Sequence, residues 1–129
     1  MRPFERDHVY FMGVADVDVF RDDLNFLFGQ AENNGHHAMI AYRRFTAEFN
    51  HDRPNRARLI DRTLKQSLSS LGFMLGLGRC TDPTCARAYP HDLSEHDAKS
   101  TDLCDDCRTG LERALGKKLE ATEKESFKE

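Results

Sequence analysis

Residues 68–107 read LSSLGFMLGLGRCTDPTCARAYPHDLSEHDAKSTDLCDDC. All four cysteines of the chain lie in this stretch, spaced Cys80-x4-Cys85, then 18 residues, then Cys104-x2-Cys107. Two close pairs across a loop can wrap four thiolates around one ion in a tetrahedron, at about 2.3 Å each. Such a site has no open position, so a zinc held there is structural and ties the loop Thr81–Leu103 to the start of the last helix. Two disulfides, or four reduced cysteines packed without metal, are the alternatives. The polar neighbours Thr81-Asp82-Pro83-Thr84 and Asp105-Asp106 speak against simple core packing. The expectation is one structural zinc per chain on Cys80, Cys85, Cys104 and Cys107.

Working outward, a long helix is expected from about Pro54 to Leu75, within a segment 53–78. Asp52 is the candidate N-cap region residue and Pro54 suits the first turn, where its missing N–H is no loss. Ile60, Leu64, Leu68, Leu71 and Leu75 recur at helical spacing and predict a stripe facing the core. Gly76 and Gly78 then end the helix. Before it, segment 1–50 reads as strands and loops: a strand over His8–Val14, turn and loop over Asp16–Asp23, a strand over Asn25–Gln30 and a third over His37–Phe45. After the zinc lobe 80–107, segment 108–129 reads as a charged C-terminal helix and tail. That helix begins near Asp105, carries Leu111, Leu115 and Leu119, and is weakened by Gly110 and Gly116.

The 129 residues fit a single domain, and 39% hydrophobic with 32% charged residues excludes a membrane protein or a disordered chain. Met1–Tyr10 mixes Arg, Glu, Asp and His and does not read as a secretory signal, so the expected location is the cytoplasm. A reducing compartment favours metal over disulfides at the cysteines. Net charge is −3, but residues 51–90 hold 7 cations and 3 anions, while the segments on either side are acidic. The six histidines, His8, His36, His37, His51, His91 and His96, form no helical ligand pair and read as surface or hydrogen-bonded groups.

The stretch Leu68–Cys107 resembles the archaemetzincins, a family of metzincin-type zinc metallopeptidases. In that family a helix carries H-E-x-x-H-x-x-G-x-x-H followed at once by Cys, then x4-Cys, and later Cys-x-x-Cys. Leu71, Gly72, Leu75, Gly76, Leu77, Gly78, Cys80 and the later cysteines match this scaffold, and VADVDVF, LNFLFGQA and LSEHDAKS are similar to further family segments. The departures fall on the chemistry. Ser69, Phe73 and Arg79 stand at the positions of the three zinc-binding histidines, Ser70 at the general-base Glu, and Arg87 at the methionine of the Met-turn. Ser is a poor zinc ligand at neutral pH, Phe has no lone pair and Arg repels the ion. The resemblance therefore implies an α/β, metzincin-like fold, N-terminally shortened: a small mixed sheet, the long former active-site helix and a C-terminal zinc lobe of four cysteines. It also implies no catalytic residues, and hence a pseudoenzyme acting as a binding or regulatory module. A zinc-dependent peptidase with a relocated metal site, or a structural subunit of a larger assembly, is the rival reading.

On the face of the long helix opposite its leucine stripe lie Arg58, Arg62, Gln66 and Phe73, a candidate groove for an anionic or peptide partner. A solvated helix face with an Asp61–Lys65 pair is the bland alternative. Family members usually have a further strand–helix–strand portion ahead of the segment that begins here near His8. Without it, a sheet edge is exposed, and a homo-oligomer or hetero-complex is expected. Neither nucleic acid nor a membrane is an expected partner.

Overall fold

A computed structural model describes residues 9–127, and within that range the side chains other than those at 24–25 and 118–127. His8 and the side chain of Leu119 thus lie outside the described residues. The central sheet has the order β1-β5-β4, with β1 Phe11–Ala15 parallel to β5 His37–Ala41 and β4 Gly29–Ala31 antiparallel to it. β2 Val19–Arg21 and β3 Leu24–Leu27 form a separate antiparallel pair. Three helices follow: α1 Arg56–Met74, α2 Leu93–Ala98 and α3 Asp105–Phe127. Among the described residues no helix is long and apolar enough to cross a membrane.

The stretch expected to be loop, Asp16–Asp23, contains β2. Arg21 pairs with Leu24, so Asp22-Asp23 is a two-residue turn, and the Arg21 guanidinium binds the Asp23 carboxylate at 3.2–3.3 Å. Acidic residues here shape a turn between strands rather than displacing them. The strand expected over Asn25–Gln30 is two strands in different sheets, separated at Phe28. That ring turns into the core with Ile40 and Phe45, and its carbonyl accepts from Ala41 N–H at 2.9 Å. The strand expected over His37–Phe45 stops at Ala41, and Arg43–Phe45 tightens into a 3-10 turn.

Asn55, not Asp52, caps α1, its side chain accepting from Arg58 N–H at 3.0 Å. The other end closes as expected at Gly76. With φ at +89°, this residue donates its N–H to Phe73 O, while Leu77 N–H reaches back to Gly72 O at 2.9 Å. That double bond is the Schellman closure, and glycine supplies the left-handed backbone it needs.

The face of α1 is the main departure. Ile60 is 57% exposed and Leu64 46%, whereas Arg62 and Lys65 are each 3% exposed and Ser69, Ser70, Gly72 and Met74 are buried. The expected core stripe is therefore turned outward at its N-terminal half. Partners far along the chain make this possible. Arg62 gives Nε and Nη2 to the Asp97 carboxylate at 2.9 and 2.8 Å, and Nη1 to Phe45 O at 2.8 Å. Lys65 pairs with Asp61 at 2.9 Å and reaches the carbonyls of Asp97 and His96 at 3.3 and 3.5 Å. A buried cation is tolerated when its donors are used in this way. α2, not foreseen from the sequence, supplies those acceptors, and its His96 ring stacks on Phe45 at 4.8 Å to close the core.

Candidate functional site

The cysteine lobe is built from short-range devices. The Asp82 carboxylate accepts from Thr84 N–H at 3.0 Å, and Cys85 N–H bonds Asp82 O at 3.1 Å, folding residues 82–85 into a tight knuckle. A bridge between Cys80 and Ala88 sets the first cysteine beside it. Cys104 immediately precedes α3 and Cys107 lies in its first turn, so one helical start presents both.

These devices bring together the four sulfurs expected to share a metal. All lie within 4.8 Å of one another, and Cys80 Sγ is 3.7 Å from Cys104 Sγ. Thiolates at the corners of a zinc tetrahedron with 2.3 Å bonds sit about 3.8 Å apart. The spacing fits an ion and is far too long for a disulfide; all four are free thiols. Among the described residues this is the only group of three or more His, Cys, Asp or Glu placed to hold a metal. Burial pushes the Cys107 thiol up to about 12 and that of Cys80 upward as well. Burial also acts on Cys85, but N–H donors from Cys104 and Arg87, at 3.3 and 3.4 Å, outweigh it and pull that thiol down. A zinc ion supplies the positive charge that turns such buried thiols into thiolates.

Beside the lobe, α1 and β4 border a cleft of about 570 Å³. Ser69, Ser70, Phe73 and Arg79, the positions that depart from the ligand pattern, all line it, as does Gln66. Two residues expected in this groove are not there. Arg62 is drawn under α2 by Asp97, and Arg58 is exposed outside the lining. Among the residues that replace them, Arg87 is 2% exposed. It gives Nη1 to Cys107 Sγ at 3.6 Å and Nη2 to Gly78 O at 3.0 Å, and stacks over Phe73 at 5.1 Å. Gly72 leaves room for it, since a Cβ there would stand 1.9 Å from Arg87 Nε. Tyr89, under the Arg79 guanidinium at 4.4 Å, was missed, and β4, expected as part of one strand over Asn25–Gln30, was not foreseen as a cleft wall. No local signal marks them, since the cleft joins residues from both halves of the chain.

The model of peptidase family M54 matches residues 4–113. The archaemetzincin of Pyrococcus furiosus is 36% identical over 106 residues, covering 82% of this chain and 55% of that protein. That of Methanocaldococcus jannaschii is 35% identical over 101 residues, 78% of this chain and 56% of the relative. Among solved structures, the archaemetzincin of Methanopyrus kandleri superposes with a TM-score of 0.75 at 31% identity, over 83% of this chain and 56% of that one. A zinc-dependent peptidase from Methanocorpusculum labreanum gives 0.79 at 30% identity, over 84% and 56%. The chain thus spans about half the length of the curated relatives it matches. These matches overturn the expectation of a non-enzyme drawn from Ser69, Ser70, Phe73 and Arg79. The family model is that of a peptidase family, and one of the matching structures is of a zinc-dependent peptidase. A match running through sheet, long helix and cysteine lobe alike leaves one assignment: the chain belongs to peptidase family M54, that of the archaemetzincins.

Proposed function

We propose that this domain binds an extended peptide in the cleft between β4 and α1, the step any peptidase performs before a bond is cut. The observation that carries the reading is the outer edge of β4, which no other strand of the described residues pairs. Phe28 and Glu32 bond β5 through Ala41 N–H and His37 O, at 2.9 and 3.0 Å, and Gln30 sits opposite Met39. In an antiparallel ladder the intervening residues turn their N–H and C=O the other way. Gly29 and Ala31 therefore offer theirs along the free edge, and both line the cleft. A peptide added there as a further strand takes its affinity from main-chain bonds and its selectivity from pockets for alternate side chains. Phe26, Leu27, Phe28, Phe73 and Tyr89 supply apolar wall for such pockets. Gly29 also lets α1 come close, because a Cβ there would lie 2.8 Å from both Gln66 Nε2 and Met39 O.

Zinc held by Cys80, Cys85, Cys104 and Cys107 supplies a structural crosslink beside the cleft. Through Cys107 and Arg87 this lobe braces the wall formed by Phe73 and Gly78.

The test is calorimetric titration of the zinc-loaded chain with acetyl-Ala-Leu-Phe-Ala-Ala amide, with mass spectrometry of the same sample to read any cleavage. Binding that weakens about fivefold or more in Ala31→Pro, which deletes one edge N–H, is the expected result. No binding, or binding indifferent to that change, would remove the strand-addition reading.

A further inference from the structure

The cleft lining is unbalanced in charge. It contains Arg21, Arg79 and Arg87 and not one Asp or Glu. Arg21 is engaged by Asp23, but among the described residues no carboxylate pairs with Arg79 or Arg87. Arg79 holds its guanidinium carbon 4.4 Å from the Tyr89 ring centroid, and among the described residues no side chain or carbonyl takes its N–H donors. Arg87 is almost wholly buried, and among the described residues its Nε, packed against Gly72, has no hydrogen-bond partner. Gly78 O and Cys107 Sγ take its other two nitrogens, and Cys107, a thiolate once zinc is bound, gives Arg87 an anionic partner. Arg79 has no such partner, so it is the guanidinium that an incoming anion would meet. Ser69 and Ser70 lie in the same lining, both buried, with Ser70 Oγ accepting from Gln66 Nε2 at 3.3 Å.

We propose that this wall is a carboxylate subsite of the peptide cleft, with Arg79 supplying the charge and the neighbouring rings taking the adjoining apolar side chain. The inference rests on the peptide-binding reading above and adds what kind of peptide is preferred. Two sources present the same chemistry, the C-terminal carboxylate of a chain and the side chain of Asp or Glu. The chain end is the better fit. Its charge sits on the backbone, so a chain paired with β4 can present it to Arg79 in the same cleft.

Calorimetry on the zinc-loaded full chain separates the cases with three probes: acetyl-Ala-Leu-Phe-Ala-Ala as free acid, as C-terminal amide, and as the amide with Glu in place of the last Ala. The free acid is expected to bind about tenfold or more tighter than the amide, as a charge-assisted hydrogen bond allows. That advantage should shrink in Arg79→Met and at about 0.5 M salt. If the Glu-bearing amide recovers the affinity instead, the carboxylate chemistry stands and its source is a side chain. Arg79→Met is the variant of choice because its ring-stacked side chain is exposed, whereas removal of buried Arg87 risks the fold. Equal binding of acid and amide overturns the subsite while leaving the cleft reading intact. Failure of all three probes to bind overturns both. A preference for the acid that survives Arg79→Met and high salt unchanged also overturns it.

Discussion

His96 shows at the scale of one residue how position overrides type. Its ring is fully buried against Phe45 and Phe28, and its Nε2–H donates to Arg62 O at 2.9 Å while Nδ1 has no partner. Burial first, and then the charge of Lys99, push its pKa down to about 4; Lys65 acts the same way, while the Arg62 carbonyl and Asp97 oppose it. Because the folded value lies below the unfolded one of about 6.5, the unfolded chain takes up the proton first. The stabilising term is therefore complete above pH 6.5 and is lost as pH falls toward 4, amounting to about 2 kcal/mol by pH 5. Urea unfolding of the wild type and His96→Phe at pH 7 and pH 5 isolates the term. The wild type should lose about 2 kcal/mol more than the variant over that interval, and parallel losses would show that this imidazole is not the group involved.

At the scale of elements, α1 marks the line between what local pattern reveals and what it hides. Its extent, its closure at Gly76 and the pairing of the cysteines were legible, because each is a contact between residues close in sequence. Its buried face was not. The leucine stripe points to the core only if polar residues prefer water, and Arg62 and Lys65 find acceptors on α2 and at Phe45 instead. The cleft is half hidden for the same reason: Gln66, Ser69, Ser70, Phe73 and Arg79 on and after α1 were marked, but Arg87 reaches it by crossing from the cysteine lobe to Gly72. The inversion of α1 has a measurable consequence. Ile60→Ser and Leu64→Ser should each change stability by no more than about 0.5 kcal/mol, the range of ordinary surface substitutions. Phe45→Ala, at 1% exposure, should cost about 3–5 kcal/mol. Chemical denaturation of the three variants checks this ordering, and a large loss at Ile60 would mean that the outer face of α1 is covered.

At the scale of the whole molecule, the described core is small: Phe28, Ile40 and Phe45 form its buried centre, near one end of α1. The other end, at Gly72–Gly78, leans on the cysteine lobe through Arg87, Leu77 and Gly110. That lobe buries few apolar residues of its own, chiefly Ala86, Ala88 and Leu111 beside the cysteines. α2 within it is tied to the core by His96 and Asp97, so the metal is expected to order chiefly the cysteine knuckles, its binding to such a set being worth on the order of 10 kcal/mol. Elemental analysis of protein purified without added metal should find one zinc per chain. Stripping it with a chelator should loosen residues 80–88 and 102–107 and the cleft wall at Phe73 and Arg87 first, leaving α2, β1, β5 and β4 protected. Hydrogen exchange before and after chelation reads this residue by residue. Loss of protection confined to the lobe and the C-terminal end of α1 would place the zinc as the crosslink holding the cleft open. Unchanged exchange in the stripped protein would mean that packing alone orders the lobe. Two zincs per chain would require a second set of ligands beyond the four cysteines.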